Sequence, residues 1–340
     1  MEMEIIIPLL RKLIPVFFAL NFFVLTHHAQ TSTSLNKPKY ELASGAYGFL
    51  IAQHEGLMLI EKKFPTLQND VITARLGLDI AFGKAEEEIT RYLQEYMGPG
   101  NFKIFRDSII SLSKTSNDPE LITIEIAKEF LKVVESRNNG SIPSPYLETL
   151  LAFNYKDSPA NEYIFGYTKD FSTLGHPKAK NTDWKITVPI SWKKEEGSRP
   201  NVIQKFTSDM GFGGEIVLLM VKDLEMPLTG FTKSDIEAMY TEENFRQTLP
   251  ENAQFVSFSK ITIDNIPGGL IEMDQVYKSL DFPIKLRLKQ YSFIYKNKTY
   301  VIQCSVSSKN LDEDLSSKMS EFSFLFKMMV NSVVVNEQYK

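Results

Sequence analysis

Two imidazoles outside the N-terminal segment, His54 and His176, are the side chains best suited to acid, base or metal-ligand chemistry near neutral pH. Neither has a partner at the spacing of a zinc site. His54 stands beside Glu55, after Tyr47, Phe49 and Ile51, and reads as a surface or helix-start residue. His176 lies between Gly175 and Pro177 in a turn-like stretch, where a loop-capping imidazole competes with a binding role. Gly211-Phe212-Gly213-Gly214 has the composition of a phosphate cradle, yet a strand pattern follows it, whereas nucleotide loops deliver phosphate to a helix N-terminus. A hairpin turn is expected there. The runs Glu86-Glu87-Glu88 and Asp312-Glu313-Asp314 lack the alternating oxygen ligands of a calcium loop and read as solvated helix faces. No nucleophile elbow or zinc-protease helix is present. No catalytic residue, metal or cofactor is assigned.

The most suggestive binding chemistry lies further along. Lys285, Arg287 and Lys289 alternate with Ile284, Leu286 and Leu288, and the odd positions continue into Tyr291, Phe293 and Tyr295. In a strand the two sets face opposite ways, so the basic trio shares a face with the aromatics. Such a face suits an acidic protein or a glycan. The competing reading is a solvated sheet face with a helix covering part of the aromatics.

The elements that must carry these residues divide the chain in two. A length of 340 residues suits two domains, and 43% hydrophobic with 24% charged residues suits two packed cores. A net charge of −4 supplies no field for neutralising phosphates, which argues against nucleic acid as a partner. Arg11 and Lys12 precede the apolar run Leu13–Leu25, the pattern of a signal peptide over residues 1–30. That run is shorter than the roughly 20 residues a membrane span needs, so no stable span is expected. Cys304 is the sole cysteine and reads as a small core residue.

Residues 31–39 are polar and read as a flexible lead-in. Residues 40–156 are read as a helical domain, its periodic pattern starting at Val71. Ile72, Leu76, Ile80, Ile89, Leu93 and Met97 recur near multiples of 3.6 and end at Gly98-Pro99-Gly100. Further helices are read over 102–112, from Pro119 through Val133, and over 143–153. Asp157-Ser158-Pro159 marks a linker at 157–161. Beyond it, strands are read at 184–188, 202–207, 215–221, 255–263, 269–276, 284–295 and 299–307. Helices are read at 233–249 and from Asp312, with Leu315, Met319, Phe322, Phe326 and Met329 forming a stripe. The fold class is therefore α+β, an all-α N-terminal domain followed by a domain with a mainly antiparallel sheet.

The strand ending Val188-Pro189-Ile190-Ser191-Trp192, the hairpins, the strand Tyr300-Val301-Ile302-Gln303-Cys304 and the C-terminal helix resemble the PsbP-like superfamily over roughly 162–335. That group includes the PsbP proteins of photosystem II, the Ran-binding Mog proteins and the periplasmic DcrB lipoproteins. The resemblance implies an α/β/α sandwich over 162–340, used for docking and not for catalysis. The sequence then points to an exported, periplasmic or secreted binding protein with an acidic protein partner, Lys285, Arg287, Lys289, Tyr291, Tyr295 and His176 being its candidate contacts. Two alternatives stay open: a hydrolase or transferase with a site between the domains, and a carrier of a small apolar ligand.

Overall fold

The computed structural model describes residues 38–116, 119–224, 232–278 and 283–340. The signal-peptide reading, and the lead-in up to residue 37, lie outside the described residues. The chain divides into two compact units between Asn154 and Tyr155.

The first unit is helical: α1 (Lys39–Lys63), α2 (Gln68–Met97), α3 (Pro99–Ser116), α4 (Ile124–Asn138) and α5 (Leu147–Asn154). Helix α1 is its axis and touches the other four. Every residue from Leu42 to Gln53 is buried, and many are small: Ala43, Ser44, Gly45, Ala46, Gly48 and Ala52. Small side chains let neighbours approach closely. A Cβ on Gly45 would stand 2.6 Å from the Tyr146 ring, and one on Gly56 2.7 Å from Phe130. Helix α2 stops at Gly98, whose φ of +80° an L-residue with a side chain seldom adopts. Thr123 starts α4 by accepting the Ile126 N–H at 3.3 Å. His54 lies within α1, half-buried and 2.9 Å from Glu86, and is neither a helix start nor a free surface group.

The second unit opens with α6 (Pro159–Ile164), so the segment expected as a linker begins a short helix. The reason is packing: Ala160 and Tyr163 join the core, and the Tyr163 hydroxyl points at the carbonyl of Met328. Two antiparallel sheets follow. The smaller has the order β1-β2-β10, from Thr168–Ser172, Trp184–Pro189 and Val334–Val335. The larger has the order β3-β4-β5-β9-β8-β7-β6. Its strands are β3 (Lys193–Glu196), β4 (Val202–Thr207), β5 (Ile216–Asp223), β6 (Ala253–Ile263), β7 (Ile266–Lys278), β8 (Pro283–Tyr295) and β9 (Lys298–Ser308). Tight turns set the register of its two long hairpins. Asp264-Asn265 and Lys296-Asn297 all have φ between 44° and 64°, the left-handed pair a two-residue hairpin requires. The stretch expected as one helix at 233–249 is two, α7 (Lys233–Met239) and α8 (Glu242–Gln247). Thr241 interrupts it by capping the second, its hydroxyl accepting the Asn244 N–H.

One face of the large sheet carries the main core. Val217, Leu219 and Val221 of β5, Tyr300, Ile302, Cys304 and Val306 of β9, and Tyr291 and Phe293 of β8 pack with Trp184, Ile186 and Val188 of the small sheet. Met319, Leu325, Phe326 and Met329 of α9 (Ser316–Asn331) close the same core. Trp184 meets Tyr300 edge-on at 5.6 Å, and Phe293 stacks on Tyr300 at 4.8 Å. The Pro189-Ile190-Ser191-Trp192 segment is tied by the buried Glu162 carboxylate, which accepts the Ser191 N–H at 2.7 Å and its hydroxyl at 2.6 Å. The unit is thus layered, with α9 and the small sheet on one side of the large sheet and α7–α8 on the other.

Candidate functional site

The basic strand has the predicted alternation, with Lys285, Arg287 and Lys289 on the face that carries Tyr291 and Phe293. That face is covered by α9. Arg287 holds Asp274 of β7 through two charge-assisted bonds, Nε at 2.7 Å and Nη2 at 2.6 Å, and also reaches Ser316 of α9. Its bond to Asp274 raises the Arg287 pKa. Lys289 donates to Ser323 of α9 at 2.8 Å and stands 3.9 Å from Glu272. Tyr291 is buried, and burial pushes its phenol pKa up. The half-buried Tyr295 donates to the Glu337 carbonyl at 3.2 Å. Lys285 is half-buried, with Asp314 in its electrostatic reach. The expectation of an open basic face is therefore corrected: alternation along a strand fixes which residues share a face, not which face a helix takes. His176 caps the short 3-10 turn 177–179, its Nδ1 accepting the Lys178 N–H at 3.2 Å.

The opposite face of the same sheet is the open one. There a groove of about 1260 Å³ runs over the even-numbered residues of β5 and β8 and the odd-numbered ones of β9. Register builds its floor row by row. Leu218, Gln303, Gln290 and Ile271 lie side by side across β5, β9, β8 and β7, flanked by a row containing Met220, Val301 and Ser292 and another containing Ile216, Ser305, Leu288 and Met273. Toward β7 the floor is roofed: Phe245 and Leu249, in and just after α8, pack with Phe255 on Ile271, Met273 and Leu288. Toward β5, Ile216, Leu218 and Met220 are only half-buried. Arg199, from the turn before β4, reaches the Tyr277 hydroxyl of β7 at 3.5 Å with its guanidinium 5.8 Å from the ring. Three strands separate β4 from β7 in the sheet order, so this contact brings distant parts of the sheet together across the groove.

The chemistry of this surface is apolar with uncharged hydrogen-bonding groups. Gln290 and Gln303 are directly opposed, half-buried and without a side-chain hydrogen bond among the described residues. Burial pushes the Tyr240 phenol on the groove wall up to about 12, so it is a neutral hydroxyl at ordinary pH. Neither histidine of the described chain lines the groove, and no group of three or more metal-binding side chains occurs among the described residues. One signal in the sequence marks this surface. Ile216-Val217-Leu218-Leu219-Met220-Val221 is apolar at both alternating sets, which marks a strand whose two faces both meet apolar matter.

No protein-family model matches the chain, and no curated protein matches it in sequence. Among solved structures, one from Bacteroides thetaiotaomicron is similar over 46% of this chain and 46% of its own, at 10% identity and a TM-score of 0.27. The chain thus spans about half the length of that protein. LpqN of Mycobacterium tuberculosis, a protein involved in cell envelope biogenesis, is similar over 52% of this chain and 95% of its own, at 10% identity and a TM-score of 0.30. The Saccharomyces cerevisiae Ran-binding protein Mog1p is similar over 49% of this chain and 95% of its own, again at 10% identity and 0.30. Identities and scores this low transfer no function.

Proposed function

We propose that this chain is an exported, non-catalytic binding protein of the cell envelope whose ligand lies in the groove of the large sheet. One observation carries the reading. Ile216, Leu218 and Met220 of β5 form an apolar floor that no other element of the described unit covers fully, although the same strand's Val217, Leu219 and Val221 are completely packed. Concave, mostly apolar surfaces with a few placed polar groups are the usual form of a ligand site. The amides of Gln290 and Gln303 and the hydroxyls of Ser292 and Tyr240 supply those polar groups. Export is supported by Arg11-Lys12 followed by Leu13–Leu25. The groove favours the carrier reading over the acidic-partner reading, since the basic strand that motivated the latter is engaged by Asp274, Ser316 and Ser323.

The test is binding of Nile red, a neutral apolar fluorophore, to the full chain. Fluorescence should rise and saturate with the parent protein. Leu218→Glu puts an acid on the apolar floor and should remove most of the signal while leaving the melting temperature within a few degrees. Equal signal from parent and variant would place the dye elsewhere and overturn the reading.

A further inference from the structure

We infer that the ligand of this groove is an anionic amphiphile, its apolar chain over Leu218, Met220 and Val301 and its headgroup drawn to the groove's unpaired cationic lining, Lys222 and Arg199. The inference rests on the groove reading above and adds the chemistry of the ligand. Four formally charged residues line the groove: Arg199, Lys205, Lys222 and Asp223. Two are neutralised within the fold. Lys205 pairs with Glu195 at 3.1 Å, and Asp223 is paired by Lys180. The other two are not. Lys222 is exposed, follows Leu218 and Met220 on the same face of β5, and makes no ion pair among the described residues. Arg199 meets the Tyr277 hydroxyl and ring, neither of which cancels its charge. The uncompensated charge at the groove is therefore positive, and it sits beside apolar floor.

A peptide is the poorer fit. The floor strands β5, β9 and β8 are each paired on both sides, so no backbone edge is free there for strand addition. A peptide laid over them would set its amides against Leu218, Met220 and Val301 with few partners besides Gln290 and Gln303, and unpartnered buried amides are costly. An amphiphile carries one polar end and needs no such partners along its chain.

The experiment displaces Nile red from the full chain with four amphiphiles of equal chain length, each below its micelle concentration: dodecanoate, dodecyl phosphate, dodecyl maltoside and dodecyltrimethylammonium. The anionic pair should displace the dye at the lowest concentrations, and the carboxylate and phosphate arms show which head is preferred. Arg199→Gln combined with Lys222→Gln should weaken the anionic pair by about tenfold or more, the scale of a hydrogen bond to a charged group, and leave the maltoside unchanged. Equal displacement by all four, unmoved by the double variant, would overturn the headgroup assignment and leave the groove reading intact. Failure of every amphiphile against a dye still sensitive to Leu218→Glu would overturn the amphiphile and again leave the groove. A dye that does not bind the parent would remove both.

Discussion

Replacing Arg287 with alanine tests where the basic strand lies. In the structure the Arg287 side chain is 13% exposed and that of Asp274 21%, and two bonds of 2.7 and 2.6 Å join them beneath α9. Removing one partner of a fully buried pair costs about 3–5 kcal/mol, because the other charge is left without compensation. Exposed pairs contribute about 0–1 kcal/mol. With part of both groups still wet, Arg287→Ala should cost about 2–3 kcal/mol. For a unit of this size each kcal/mol moves the midpoint by about 2–4 °C, so its melting transition should fall by about 4–12 °C. Lys285→Ala, which lacks such a pair, should cost less than about 1 kcal/mol. Calorimetry resolves the two, and Asp274→Ala should add little to Arg287→Ala, since both remove one interaction. If Arg287→Ala and Lys285→Ala melted alike, within a degree of the parent, the face would be open and the helix-covered assignment wrong.

Two further outcomes follow from buried polar groups. The Tyr300 hydroxyl is buried with no hydrogen-bond partner among the described residues, so Tyr300→Phe should be neutral or stabilising by up to about 1 kcal/mol; a loss above that in denaturant titration would reveal a partner. The His54 pKa is raised chiefly by its bond to Glu86, with burial opposing. A folded-state pKa above the unfolded value gives stability that is complete below about 6.5 and is lost as pH rises through the folded pKa. Melting temperature should accordingly fall between about pH 6 and 8, and Glu86→Gln should flatten that slope; an unchanged slope would contradict the pair.

The longer strands of the second unit were legible because they alternate and their turns carry Gly, Asp and Asn; the short β1, β3 and β10 carry too few residues to show a period. The stripe Met319, Phe322, Phe326 and Met329 lies buried on the core, as its spacing predicts. Helix starts were less so: Asp314 accepts the Ser316 N–H, placing α9 a turn later than the acidic run suggested. Helix α1 falls in the expected helical domain but outside its periodic segments, since a helix buried over Leu42–Gln53 on every side shows no apolar stripe. In α2 the later part of the periodic set, Ile89 and Leu93, is buried as its spacing predicts, and the earlier part is not. Ile72, Leu76 and Ile80 are exposed, while Val71, Ala74, Leu78 and Phe82 face the core, because two offset sets share the 3.6 period and only the neighbouring helices decide between them. The candidate contacts meet a related ambiguity. Strand β8 offered two faces, and the charged one drew the binding role; yet Lys289 and Arg287 find Ser323, Ser316 and Asp274 only through contacts distant in sequence.

Adjacent residues of β5 and β9 face opposite sides of the large sheet, so methyl NMR of one strand separates the groove from the core. Titrating dodecanoate into methyl-labelled protein should shift Ile216, Leu218, Met220 and Val301, which line the groove, and leave Val217, Leu219 and Ile302 of the core in place. Shifts confined to the core set or to the helical unit, with the groove methyls silent, would contradict the account.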